Sequence, residues 1–162
     1  MNRSLIFAFA VAGALICACA QEPGQSGATS HADHAMGFSQ EKTAHHFRLY
    51  KDGGAIEVEA KDPKDTESAG QVRGHLKHIA QMFGAGNFEI PMLVHDQTPP
   101  GAPAMKRLAS EITYTYEATT RGGRVRIQTR NAEALAAVHE FLRFQIKEHK
   151  TGDSLEISER AR

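Results

Sequence analysis

Cysteine is nearly absent from this 162-residue chain: the only two, Cys17 and Cys19, lie within the first nineteen positions. Beyond them no thiol remains, which excludes a disulfide framework, a thiolate nucleophile, a cysteine zinc finger and a cysteine-held iron-sulfur cluster. Tryptophan is missing altogether. Charge of either sign is not in excess, with 19 Lys and Arg against 19 Asp and Glu, so there is no basic field to recruit nucleic acid and none is expected as a partner. Neither a Walker loop, nor a dinucleotide glycine fingerprint, nor a G-x-S-x-G elbow occurs. His139 and Glu140 open an HExxH-like string, but Arg143 stands where the second zinc ligand belongs. No assembled acid and base emerges, and the reading leans away from an enzyme.

What remains is ordinary in bulk and unusual in one count. Apolar residues make up 41% and charged residues 23%, the balance of one soluble domain with a real core. Nine histidines are the exception.

The amino terminus reads as an address. Asn2 and Arg3 precede an apolar run from Leu5 to Ala18, too short to span a bilayer stably and of the form of an export signal, residues 1–18. Ile16, Cys17, Ala18 and Cys19 resemble the bacterial lipobox, with Cys19 as the lipid attachment site. The competing reading is cleavage after Ala20, since Ala18 and Ala20 also satisfy the A-x-A rule. The expected location is the periplasmic side of a bacterial membrane, lipid-anchored or soluble. Residues 19–42, rich in Gly, Ser, Ala, Gln and His, read as a flexible tether.

The folded domain is expected over 43–153. His45, Phe47 and Leu49 alternate with His46, Arg48 and Tyr50, and after a Gly53-Gly54 turn Ile56, Val58 and Ala60 alternate with Glu57, Glu59 and Lys61, which predicts a hairpin. Asp62 and Pro63 are placed as N-cap and N1 of a helix carrying Val72, Leu76, Ile79 and Phe83. The order then repeats. Ile112, Tyr114 and Tyr116, the pair Gly122-Gly123, and Val125 and Ile127 form a second hairpin, and Asn131 caps a helix carrying Leu135, Val138, Leu142 and Ile146. The glycine pairs are 69 residues apart and the helices align at a shift of 66. The expectation is α+β: duplicated β-β-α units, 43–86 and 111–152, forming a four-stranded antiparallel sheet with two long helices on one face. A proline-rich connection over 87–110, with a short helical run through Met105 and Leu108, separates the units. Residues 154–162 read as a frayed tail.

The histidines sort by position. In the tether His31, Asp33, His34 and Met36 lie close enough to wrap a transition metal. On the first helix His75 and His78 at i, i+3, with Met82 a turn further, form a stripe beside the core stripe. Imidazole with thioether suits copper, especially Cu(I), with zinc as the alternative. The competing view of each group is a polar linker and a boundary of the buried face. His45 and His46 point to opposite sheet faces, so at most one belongs to a site. His95 is a further candidate ligand, oriented by the adjacent Asp96. His139 reads as a hydrogen-bonded boundary residue, and His149 as a helix-end imidazole whose protonation the dipole favours.

The run from Met36 through Phe47, the Asp52-Gly53-Gly54 turn, the His75 to Phe83 helix and Val94-His95-Asp96 resemble a group of exported, His-rich bacterial proteins of unestablished function, over roughly 36–153. Members often carry the label aspartate carbamoyltransferase. This chain has neither the S-T-R-T-R phosphate-binding string of that enzyme's catalytic chain nor the four cysteines of its regulatory chain, so that activity is not expected. The expected function is transition-metal binding in the cell envelope, for storage, delivery or tolerance, with a metal-handling envelope protein as partner. The alternative is a non-metal interaction or small-ligand module, and an unidentified enzyme comes third.

Overall fold

The computed structural model describes residues 36–159. The export signal, Cys19, His31 and His34 therefore lie outside the described residues. No helix among the described residues is long and apolar enough to cross a membrane.

Period-two sequence becomes sheet as expected. Strands β1 (Thr43–Tyr50), β2 (Gly53–Ala60), β3 (Ile112–Ala118) and β4 (Gly122–Thr129) form one antiparallel sheet in the order β1-β2-β4-β3. Two hairpins are thus joined through their second strands. The long helices α1 (Thr66–Gly84) and α4 (Ala132–Glu148) follow the hairpins, and the shorter α2 (Glu89–His95) and α3 (Ala102–Arg107) occupy the proline-rich connection. Apolar residues of both long helices share a single core with Phe47, Leu49, Ile56, Val58, Val125 and Ile127 of the sheet.

The internal symmetry is visible atom by atom. In one direction Ala60 N–H donates to Arg121 O at 2.9 Å, and in the other Thr129 N–H donates to Asp52 O at 3.0 Å. These two bonds are equivalent at the 69-residue shift. The glycine pairs sit inside β2 and β4 rather than in the turns, a correction with a steric reason. A Cβ on Gly53 would lie 2.0 Å from Ile127 O, and one on Gly122 would lie 2.1 Å from Val58 O, so the central seam closes only where both side chains are missing. Over the second glycine of each pair lies a leucine: Leu142 on Gly54 and Leu76 on Gly123. Each leucine is almost fully buried. Leu76→Ala and Leu142→Ala are accordingly expected to destabilise the protein by similar amounts, about 2–5 kcal/mol each, in urea unfolding.

Three boundaries differ from those expected. Helix α1 starts three residues later, because Asp65 rather than Asp62 is the cap: its Oδ1 accepts from Ser68 N at 2.9 Å, while Asp62 closes a preceding turn by accepting from Lys64 N. Asp65 and Asn131 then differ by 66 residues, the same shift that aligns the helices, so the length difference between the units falls in the strand-to-helix turn. At the amino-terminal side, Met36 and Phe38, assigned to the tether, are buried in the core. At the other end the segment after Asp153 is docked rather than frayed. Asp153 accepts from Phe47 N at 3.0 Å and Arg48 Nη1 at 2.8 Å, and Ser158 N–H donates to Leu49 O at 2.9 Å. The chain thereby covers part of the outer edge of β1, an edge that would otherwise offer its backbone for pairing.

Candidate functional site

At one end of the core, β1, α1, α2 and the end of α4 enclose a cavity of about 60 Å³, whose wall includes His45, His75, His95, His149, Met36 and Gln145. That volume admits an ion with a few waters and is far below the 300–1,000 Å³ typical of organic-ligand pockets.

Each ring is placed by its element. His45 occupies an odd position of β1, on the same sheet face as Phe47 and Leu49, which turns it to the core. His46 turns to the opposite face, where its Nδ1 lies 3.1 Å from Asp153 Oδ1. His75 shares the helix face of Leu76 and Ile79 on α1, and His149 follows the last residue of α4 as its C-cap. The rings of His45 and His149 stack at 5.1 Å between centroids, and His95 meets His149 edge-on at the same separation. Phe38 closes the cluster, stacked on His45 at 5.7 Å and edge-on to His75 at 5.2 Å.

Burial sets the protonation state. It holds His45 down at about 3, reinforced by His149 and His75, and holds His75 and His149 at about 4. All three are therefore free bases at neutral pH, the form in which imidazole ligates a metal. For His149 this reverses the sequence expectation: desolvation outweighs the helix-dipole effect, which is small and falls off within a turn.

The stripe expected on α1 divides. His75 faces the cavity, His78 is exposed, and Met82 packs half-buried against the core rather than at the cavity wall. Of the candidates within the described residues, His75, Met36 and His95 are brought together, while His78 and Met82 are not. Asp96 does not serve as the partner of His95, whose Nε2 instead lies 3.0 Å from Gln145 Oε1. The Nε2 of Gln145 is buried without a hydrogen-bond partner, so the wall carries an unmatched donor. His139 is separate and structural: its Nε2 lies 2.8 Å from Tyr50 O and 3.0 Å from Gly53 O, tying α4 to the β1–β2 turn.

His45 and His149 were the omissions, and the repeat contained the signal. At the strand shift of 69 and the helix shift of 66, His45, His75 and His149 correspond to Tyr114, Phe141 and Phe83. Those three form an aromatic cluster in the related half, Phe83 meeting Tyr114 and Phe141 edge-on at 5.8 Å. One half of the fold fills these positions with two phenyl rings and a phenol, and the other with imidazoles.

Among the described residues no three His, Cys, Asp or Glu side chains are arranged as a ready metal-binding group. The imidazoles are neighbours, but they stack instead of converging. Comparison of the chain with family models, with curated proteins and with solved structures finds no match.

Proposed function

We propose that this chain is an exported envelope protein, anchored through Cys19, that binds a transition metal, copper favoured over zinc, at the cavity walled by His45, His75 and His149 with His95 and Met36 alongside. Its task is storage, delivery or tolerance, with a metal-handling envelope protein as the partner. The carrying observation is the exchange of an aromatic trio for an imidazole trio at equivalent positions. The other half packs the same positions with Phe83, Tyr114 and Phe141, so three imidazoles are more nitrogen than packing needs, although His75 also hydrogen-bonds the Met36 backbone.

Two further features support the reading. A thioether, Met36, lines the same wall as the imidazoles, and sulfur with neutral nitrogen is a soft set suited to Cu(I). The 5.1 Å ring separations are about those of imidazoles sharing one tetrahedral ion at a metal–nitrogen distance near 2 Å. Binding requires the stacked rings to rotate about their side-chain torsions, not a rebuilt backbone.

The test is a competition titration of the full chain with Cu(I) and Zn(II). A triple variant, His45→Phe, His75→Phe and His149→Phe, reproduces the chemistry of the related half. It is expected to weaken binding at least tenfold while remaining folded at pH 7.5, at a cost of about 1 kcal/mol for the lost bond from His75 to the Met36 backbone, and Met36→Leu to weaken Cu(I) more than Zn(II). Unchanged affinity in the triple variant sinks the proposal. So does complete loss of binding in His31→Ala with His34→Ala alone, which moves the chelator to the amino-terminal segment.

A further inference from the structure

Outside the cavity, on the solvent side of His45 and His149, lies an open groove of about 320 Å³ lined by those two imidazoles together with His46, Lys61, Lys150 and Thr151. We infer that this groove is a binding site for a small oxyanion, a carboxylate or phosphate species held between Lys61 and Lys150 and hydrogen-bonded by the imidazoles.

Charge is the first argument. No aspartate or glutamate is among the lining residues. Asp153 adjoins the groove through His46 and Thr151, but its carboxylate is taken up by Phe47 N, His46, Thr151 and the Arg48 guanidinium, and Glu41 presents its backbone carbonyl to Lys61 Nζ at 2.8 Å. Two lysines thus line a concave surface that carries no carboxylate of its own and whose neighbouring Asp153 is paired with Arg48 at 2.8 Å, which leaves an excess of positive charge there. Their bonds to an oxyanion are of the charge-assisted kind.

The second argument is conformational. Lys150 has φ +49, in the left-handed region, immediately after the C-cap His149. Glycine is the usual residue at that position because it adopts the conformation without strain. A lysine kept there adds a positive charge to the groove lining at a conformational cost, and strain of this kind concentrates at binding sites. The residue in the same role in the related half, directly after the α1 C-cap Ala85, is Gly86 with φ +72. Three other equivalents, Phe83, Ile112 and Tyr114, are apolar where this end has His149, Thr43 and His45. The polar concave surface is thus specific to one half of a symmetric fold.

The groove shares His45 and His149 with the metal reading but does not depend on it, and its experiment uses the full chain stripped of metal by a chelator and reads the lysines, which the metal reading does not use. Calorimetric titration at low ionic strength with citrate, and separately with inorganic phosphate, is expected to show one saturable site for at least one of them. The tighter of the two identifies the class. Lys61→Gln with Lys150→Gln should weaken that binding at least tenfold. Lys150→Gly should weaken binding while raising the unfolding midpoint, since it removes the charge and the strain together, and a gain in stability rules out misfolding as the cause. Absence of saturable binding for both anions, or unchanged affinity in the double lysine variant, overturns the inference.

Discussion

Acidification of the metal-free protein from pH 6.5 to 5 is expected to remove several kcal/mol of stability, enough to bring a typical domain with 5–15 kcal/mol in total close to unfolding. In the unfolded chain His45, His75 and His149 take up protons near the ordinary value of 6.5, whereas in the fold they resist protonation until about 3 for His45 and about 4 for the other two. Across this window the unfolded state binds more protons, so stability rises with pH and becomes independent of these groups above 6.5. Each imidazole contributes a slope of about 1.4 kcal/mol per pH unit while it differs fully between the two states. Urea unfolding at pH 7.5, 6 and 5 measures the slope. The variant with phenylalanine at all three positions should lose it. Phenylalanine is preferred to tyrosine at 45 because the hydroxyl of the equivalent Tyr114 is buried without a partner. A wild-type slope in that variant would place the acid sensitivity elsewhere. Asp153 acts at lower pH: hydrogen bonds from Thr151, Phe47 N and His46 overcome the opposing effect of burial and keep its carboxyl below the usual range, so its contribution is lost only below the ordinary carboxylate value and does not enter this window.

Gly53→Ala and Gly122→Ala should be among the most damaging substitutions of a residue without a side chain. In each case the added Cβ meets a backbone carbonyl of the neighbouring central strand, and a carbonyl in a ladder cannot move aside as a flexible side chain would. The expected cost is about 3 kcal/mol or more for each, at the upper end of overpacking effects. Gly53→Ala should be the worse, because its φ of +141 is itself unfavourable for alanine. The control lies in the same chain. Gly70 and Gly74 lie within α1 with nothing near a built Cβ, so alanine at either should stabilise by roughly 0.5–1 kcal/mol through helix propensity. Thermal unfolding of the four variants gives opposite signs if the seam is as described. Equal, small effects at all four would mean that β2 and β4 do not approach so closely.

Alternation of apolar residues determined the four strands, because a period of two admits only one assignment of faces. The 3.6-residue stripes through Leu76 and Leu142 determined the two long helices, and the repeat linked them into equivalent units. The caps were harder to place, since Asp62 and Asp65 are both competent acceptors and only the hydrogen bond to Ser68 N distinguishes them. The glycine pairs suggested turns from composition alone; that they relieve contact between β2 and β4 depends on a partner strand nearly seventy residues away. Site chemistry followed the same division. Residue type and local spacing singled out His75, Met36 and His95, which the fold brings to one cavity wall, but sorted His78 and Met82 with His75 because helical neighbours share an edge in projection. Whether an edge residue faces a cavity, the core or water depends on what packs against the helix, and here that is β1, α2 and the buried segment at Met36 and Phe38. Burial, not position on α4, then decides that His149 is neutral, because desolvation is a property of everything surrounding the ring.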